Sequence, residues 1–111
     1  MFESLFKTAS RGLSPHDFKA RRTEDDVVID VRTASEFATA HVSGADNIDL
    51  AAPDFHQQIE MLDRGKTYYL YCRSGNRSGI AMRIMKDMGF PDVHNIGGLH
   101  ALARAGVETV R

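Results

Sequence analysis

The 111-residue sequence contains one cysteine, no tryptophan and three prolines. A single cysteine cannot form a disulfide within the chain, so folding needs no oxidising compartment and the thiol is free for chemistry. No stretch approaches the roughly 20 apolar residues of a membrane span, and residues 1–12 lack the apolar core of a signal peptide. We therefore expect a soluble, cytoplasmic protein that does not bind membranes.

Neither sign of charge dominates the sequence. Fourteen basic and 15 acidic residues leave a net charge of -1, and 42% of the residues are apolar. This composition excludes a disordered chain and gives no general attraction to nucleic acid. The length predicts a single domain over residues 1–111, with residues 1–12 as a loosely attached N-terminal segment.

Short apolar runs alternate with helical patterns along the chain. Ser14 before Pro15 is typical of a helix start, and Thr33 with Glu36 forms a capping-box pattern. Alternation at this spacing predicts an α/β fold with an open parallel sheet and helices on both faces. The predicted strands lie at 25–31, around Ile48, at 67–71 and from Val93. The first four predicted helices begin at Pro15, at Thr33, at Pro53, where the helix ends at Gly65, and at Ser78. A short last helix is predicted through Ala101 and Leu102.

Cys72 follows the most hydrophobic predicted strand, in the stretch YYLYCRSGNRSG at 68–79. Ligands of open α/β sheets bind beyond the carboxyl ends of the strands. A glycine-containing loop that runs into a helix directs backbone N–H groups at the sulfur, and Arg73 and Arg77 add positive charge. Residues 64–86 include six basic and no acidic residues. We interpret Cys72 as an activated thiol in an anion-binding loop rather than as a small core residue.

Three segments resemble the rhodanese family of sulfurtransferases. Residues 26–48 (DVVIDVRTASEFATAHVSGADNI) are similar to its first signature, residues 68–82 to its active-site loop, and residues 95–106 (NIGGLHALARAG) to its closing signature. Three features depart from the family pattern. Residues 40–45 read AHVSGA where the family usually has Gly-His-Ile-Pro-Gly-Ala, Leu102 stands where tryptophan is common, and residues 1–12 match no family motif.

The resemblance implies a rhodanese-like fold and a sulfurtransferase that moves a sulfane sulfur through a persulfide on Cys72. It implies a small sulfur-containing anion, such as thiosulfate, as donor, and a thiol or a protein as acceptor. No organic cofactor or metal is implied. The implied loop residues are Arg73, Ser74, Gly75, Asn76, Arg77 and Ser78, with Arg77 at the mouth where the donor enters; the supporting residues are Asp30, Arg32, Glu36 and His41.

The supporting residues also have structural interpretations. The spacing of Arg32 and Glu36 favours an ion pair that fixes a loop, whereas Asp30, at a strand end, is placed to face the mouth of the site. His41 is interpreted as a residue that fixes the loop of the first signature. The histidines show no metal-ligand spacing with Cys72 or with one another.

Three other functions compete with sulfur transfer. A cysteine phosphatase or arsenate reductase would resemble Cys-x5-Arg, but Arg77 follows Cys72 after four residues. A rhodanese-like binding module or sulfur carrier is the main alternative, although a non-catalytic module is expected to lose the cysteine. A thiol-disulfide oxidoreductase is disfavoured because the chain has no resolving cysteine.

Overall fold

The computed structural model describes residues 12–111. The predicted N-terminal segment, residues 1–12, therefore lies outside the described residues except for Gly12. The elements in chain order are α1 (Pro15–Arg21), β1 (Val27–Asp30), α2 (Ala34–Thr39), β2 (His41–Val42), β3 (Asp46–Asn47), α3 (Phe55–Glu60), β4 (Tyr68–Cys72), α4 (Asn76–Asp87), β5 (Val93–Gly98), α5 (Leu99–Arg104) and β6 (Thr109–Val110).

Four of these strands form one parallel sheet in the order β3-β1-β4-β5. Ile29 of β1 pairs with Leu70 of β4, and both side chains are completely buried. Every residue of β4 is buried, as expected for a central parallel strand covered on both faces. The predicted α/β fold with an open parallel sheet is therefore confirmed.

Helices cover both faces of this sheet because alternate strand residues point to opposite sides. On one face, Leu70 and Cys72 of β4 pack in a cluster that includes Phe55 of α3 and Met85 of α4. On the other face, Tyr69 and Tyr71 pack with residues of α1 and α5. Leu102, which stands where the family commonly has tryptophan, is fully buried in this second cluster.

A second, two-stranded antiparallel sheet joins β2 to β6. His41 pairs with Val110 and Val42 with Thr109, so the end of the chain lies beside the segment that follows α2. We did not expect this sheet, because strands of two residues show no periodicity that a sequence pattern could reveal.

Side-chain caps set two helix starts as predicted. The Ser14 hydroxyl accepts the backbone N–H of Asp17, and Thr33 and Glu36 form the reciprocal hydrogen bonds of a capping box. Two helix boundaries differ from prediction. Helix α3 covers only Phe55–Glu60 instead of 53–65, since turns flank it, and α4 begins at Asn76 instead of Ser78.

None of the helices within residues 12–111 combines the length and apolar character needed to cross a membrane.

Candidate active site

Cys72 is the last residue of β4, and its side chain is 1% exposed. Its Sγ accepts a hydrogen bond from the backbone N–H of Gly75 at 3.0 Å. The backbone N–H of Ser78 lies 3.5 Å from Sγ, and the Ser78 hydroxyl lies 3.4 Å from it. The sulfur is therefore held by hydrogen-bond donors from the N-cap residue and the first turn of α4.

These donors outweigh the effect of burial on the Cys72 thiol. Burial alone raises the pKa of Cys72, because a thiolate is poorly solvated in the interior. Hydrogen bonds from the Ser78 hydroxyl and from the backbone N–H groups of Ser78, Ser74 and Gly75 lower the pKa, and the net shift is downward from the ordinary value. The site therefore stabilises negative charge on sulfur.

Two glycines allow the loop its tight path. Gly75 caps α4 with φ of +99°, a left-handed conformation that residues with a Cβ rarely adopt. Gly98 lies beside Cys72, because a register shift in the pairing of β4 with β5 brings these two residues together. A Cβ on Gly98 would overlap the carbonyl oxygen of Arg73 and lie 2.9 Å from its carbonyl carbon. The loop backbone therefore crosses β5 at a point where only glycine fits.

Arg77 donates from both terminal nitrogens to the Glu36 carboxylate, at 2.8 and 3.0 Å. This pair joins the first turn of α4 to the first turn of α2. The arginine holds the pKa of Glu36 down to about 2. The sequence had suggested a loop without nearby acidic groups, but the fold brings Glu36 to Arg77 from 41 residues away along the chain.

Arg32 pairs with Asp30 and not, as predicted, with Glu36. Its Nε donates to Asp30 Oδ1 at 2.9 Å and its Nη2 to Asp30 Oδ2 at 2.7 Å, with both side chains buried. Nη2 also donates to the carbonyl oxygen of Ala40 at 2.6 Å. Because both Asp30 oxygens bind Arg32, the carboxylate fixes the β1–α2 connection and is not free at the mouth of the site.

The other predicted residues are His41, Ser74 and Asn76. His41 Nδ1 is 2.8 Å from the carbonyl oxygen of Phe37 in α2, and the two rings are stacked. The role of His41 in fixing the loop stays a prediction. Ser74 and Asn76 are exposed in the loop and at the start of α4.

Arg73 is exposed and forms no salt bridge within residues 12–111. It lines an open cleft of about 460 Å³ between the loop, α2 and α5. Glu36, Leu99 and His100 also line this cleft, but Cys72 does not. The cleft therefore reaches Arg73, the residue after Cys72, but does not contain the Cys72 sulfur, and Arg73 supplies positive charge on its loop side.

Asn95 of β5 is a part of the site that the sequence analysis missed. Its side chain contacts the Ser78 hydroxyl at 2.7 Å and the Gly75 carbonyl oxygen at 3.0 Å. The sequence shows Asn95 only as an asparagine shortly before Gly97 and Gly98. We assigned it to a strand, and nothing in the local pattern connected it with Cys72.

No group of three or more His, Cys, Asp or Glu side chains in the described part of the chain is placed to hold a metal ion.

The family profile of the rhodanese-like domain matches residues 14–105, which include the whole Cys72 loop, the supporting residues and Asn95. The chain belongs to the rhodanese-like family. Thiosulfate sulfurtransferase PspE from Escherichia coli (strain K12) is 36% identical over 80 residues, which are 72% of this chain and 77% of that protein. The chain spans only 33% to 55% of the length of several other curated relatives that it matches.

Solved structures of rhodanese-like proteins share this fold. The Alr3790 protein from Anabaena sp. superposes with a TM-score of 0.78 at 23% identity, covering 88% of this chain and 90% of that one. A structure described as rhodanese with anions from E. coli gives a TM-score of 0.66 at 32% identity, covering 78% of this chain and 98% of that one. The rhodanese-like fold implied by the sequence is therefore confirmed.

Proposed function

We propose that this chain is a sulfurtransferase that carries a sulfane sulfur as a persulfide on Cys72. The proposed donor is a small anion such as thiosulfate, and the proposed acceptor is a thiol or another sulfur-accepting nucleophile, small or on a protein. The proposed location is the cytoplasm, where such thiols remain reduced. No cofactor takes part.

The reaction has two displacement steps. The Cys72 thiolate attacks the outer sulfur of thiosulfate, the bond between the two donor sulfurs breaks, and sulfite leaves with the bonding electron pair. The acceptor nucleophile then attacks the terminal sulfur of the Cys72 persulfide, and the sulfur–sulfur bond breaks to return the thiolate. No oxidant or reductant is consumed in either step.

The observation that carries the proposal is the set of donors around Cys72 Sγ. The backbone N–H groups of Gly75 and Ser78, at 3.0 and 3.5 Å from the sulfur, are held by the fold before a sulfur-containing substrate arrives, and the Ser78 hydroxyl lies 3.4 Å away. Preorganised N–H groups stabilise an anion without the cost of reorganising the loop. The same loop suits a thiolate in the first step and a small anionic sulfur in the second.

Intact-mass spectrometry after incubation with thiosulfate tests the first step. The wild-type chain is expected to gain the mass of one sulfur atom, and subsequent cyanide should remove it as thiocyanate. Cys72→Ser should gain nothing while keeping the wild-type unfolding midpoint in urea, since its hydroxyl is too basic to form the anionic nucleophile. An unmodified wild-type chain, or a sulfur adduct on Cys72→Ser, contradicts the proposal.

Turnover separates an enzyme from a sulfur carrier. With excess thiosulfate and cyanide, a sulfurtransferase should release many thiocyanate molecules per chain at a steady rate. A carrier that needs a partner protein for reloading or discharge would stop after about one equivalent, and that result would replace the enzymatic proposal with the carrier alternative.

A phosphatase reaction fits this site poorly. A phosphatase arginine must present two N–H groups to the phosphate oxygens, but both terminal nitrogens of Arg77 donate to Glu36. The loop is also one residue shorter than Cys-x5-Arg. We therefore expect no hydrolysis of an aryl phosphate under conditions in which the chain accepts sulfur.

A further inference from the structure

Asn95 connects strand β5 to both sulfur-binding parts of the Cys72 loop. Its Oδ1 accepts from the Ser78 hydroxyl at 2.7 Å, and its Nδ2 donates to the carbonyl oxygen of Gly75 at 3.0 Å. Gly75 and Ser78 are also the residues whose donors lie within 3.5 Å of Cys72 Sγ. One side chain therefore contacts both residues that hold the sulfur.

The orientation of the Asn95 amide follows from its partners. The backbone N–H of Gly97 donates to Oδ1 at 3.0 Å, so this position must be an acceptor. The Gly75 carbonyl can only accept, so Nδ2 must face it. The backbone of Asn95 is held by its pairing with Leu70 of β4 and by the N–H of Leu13, which precedes α1 and donates to the Asn95 carbonyl oxygen at 2.8 Å.

Space for this side chain exists because residue 79 is a glycine. A Cβ on Gly79, in the first part of α4, would lie 3.3 Å from Asn95 Nδ2, closer than most side-chain contacts. Gly79 lies within α4 and leaves room for Asn95 beneath the helix start.

The Ser78 hydroxyl has one proton and two neighbouring acceptors, Asn95 Oδ1 and Cys72 Sγ. Because the hydroxyl can donate to only one of them at a time, donation to a Cys72 thiolate requires its rotation away from Asn95 Oδ1. Asn95 Oδ1 keeps the hydrogen bond from Gly97 N–H after that rotation. The rotation therefore leaves no buried acceptor without a partner.

We propose that Asn95 is a positioning residue that holds Gly75 and the Ser78 hydroxyl at Cys72 Sγ and thereby maintains the reactivity of the thiol. This role rests on the proposed function only in taking Cys72 as the reactive group. Asn95 does not contact the sulfur itself. It acts through the two residues that do.

The test measures the pH midpoint of thiolate formation in the full chain, from ultraviolet thiolate absorbance and from the rate of alkylation by iodoacetamide. The alkylation rate reports on Cys72 because the chain has no other cysteine, and subtracting the Cys72→Ser titration removes the absorbance of the three tyrosines from the ultraviolet signal. Neither assay requires sulfur transfer, so the two proposals fail independently. The positioning role of Asn95 can be wrong while the chain is a sulfurtransferase, and it can be right while the chain transfers no sulfur. The variants are Asn95→Ala, Ser78→Ala and the double variant.

Asn47→Ala is the matched control. Asn47 is also a half-buried asparagine on a sheet strand, and its Nδ2 donates to two backbone carbonyls, those of Asp30 and Arg32. It makes no hydrogen bond to the Cys72 loop among the described residues. We expect this variant to unfold at lower urea concentration and to keep the wild-type thiolate midpoint.

For Asn95→Ala we expect the midpoint to rise by about one pH unit, a tenfold loss of thiolate at a fixed pH below the midpoint. The double variant should shift by less than the sum of the single shifts, because both residues act on one hydroxyl. If Asn95→Ala does not fold, Asn95→Ser is measured instead, since a serine hydroxyl is too short to span both partners.

An unchanged midpoint in a folded Asn95 variant overturns the proposal, even if the variant is less stable. A lowered midpoint also overturns it, because it would mean that Asn95 chiefly competes with the sulfur for the Ser78 proton. A shift of the same size in Asn47→Ala would show a general effect of lost stability and would equally overturn it.

Discussion

Two arginines follow Cys72 within five residues of the sequence, but their guanidinium groups have different surroundings in the fold. Arg77 pairs with Glu36 through both terminal nitrogens, whereas Arg73 is exposed on the edge of the cleft and has no acidic partner among residues 12–111. An ion pair reduces the charge that an approaching anion experiences. That Arg77 binds the anionic sulfur donor stays a prediction from the sequence. Because Arg77 is paired with Glu36, we expect Arg73 to attract this anion more strongly.

We therefore predict that Arg73→Ala raises the KM for thiosulfate more than Arg77→Ala does. The expected rise for Arg73→Ala is about two- to fivefold, the size of one exposed charge interaction, and it should shrink at high salt. Steady-state kinetics at two ionic strengths measures this difference. A larger rise in Arg77→Ala would mean that the arginine leaves Glu36 when the donor binds.

The reactivity of Cys72 also depends on neighbours at the scale of single residues. Burial raises the pKa of the thiol, but the hydrogen-bond donors of the loop and of the first turn of α4 lower it by more, so the net shift is downward. The resulting downward shift requires that the donors of Gly75 and Ser78 remain in place.

The alkylation rate of Cys72 is therefore predicted to reach half its maximum at a lower pH than that of a cysteine in a short unstructured peptide. Iodoacetamide kinetics across a pH series, with the peptide measured alongside, checks this. If the Cys72 midpoint equals or exceeds that of the peptide, burial dominates and the loop does not activate the thiol.

At the scale of secondary-structure elements, α2 and α4 are joined by the Glu36–Arg77 pair. Glu36 serves two functions, because its carboxylate also accepts the Thr33 N–H in the capping box of α2. Arg77 lowers the pKa of Glu36 from 4.5 to about 2, since the arginine favours the charged carboxylate. The folded state therefore binds this proton less tightly than the unfolded chain does.

A group with a lowered pKa stabilises the fold above its unfolded pKa and loses that contribution as the pH falls through the folded value. We predict that Glu36→Gln has a lower free energy of unfolding than the wild type above about pH 5, and that the difference disappears as the pH approaches 2. Urea unfolding of both chains across this range measures it. A difference that does not depend on pH would assign the loss to the cap hydrogen bonds alone.

At the scale of the whole molecule, the sheet separates two apolar clusters, and the site lies at the carboxyl ends of its central strands. Cys72 belongs to the cluster beneath α3 and α4, whereas Leu102 belongs to the cluster beneath α1 and α5. The two positions therefore contribute to stability through different packing. A defect in the second cluster should weaken the fold without moving the donors around the sulfur.

Leu102→Ala is predicted to lower the free energy of unfolding by about 2–5 kcal/mol, the cost of a cavity at a fully buried leucine. The thiolate midpoint of Cys72 should remain that of the wild type. Urea unfolding and the alkylation series together check this prediction. A shifted midpoint would show that packing under α5 also positions the loop that crosses Gly98.

The sequence by itself determined the features that depend on neighbours along the chain. The apolar runs of β1 and β4 predicted two buried strands, the caps at Ser14 and Thr33 predicted two helix starts, and the loop after β4 placed Cys72 at a strand end. Periodicity, capping and turn chemistry act over a few residues, so a single sequence records them. The family motifs extended these predictions to the rhodanese-like fold.

Only the tertiary structure decided which charged and polar groups meet across the chain. Glu36 lies 41 residues from Arg77, and Asn95 lies 17 residues from Ser78. The spacing of Arg32 and Glu36 had favoured an ion pair between them, and this prediction was wrong, because Arg32 binds Asp30. The pairing of β2 with β6 likewise depends on where the sheet and α5 bring the end of the chain. Contacts of this kind follow from the packing of whole elements, which local sequence patterns do not specify.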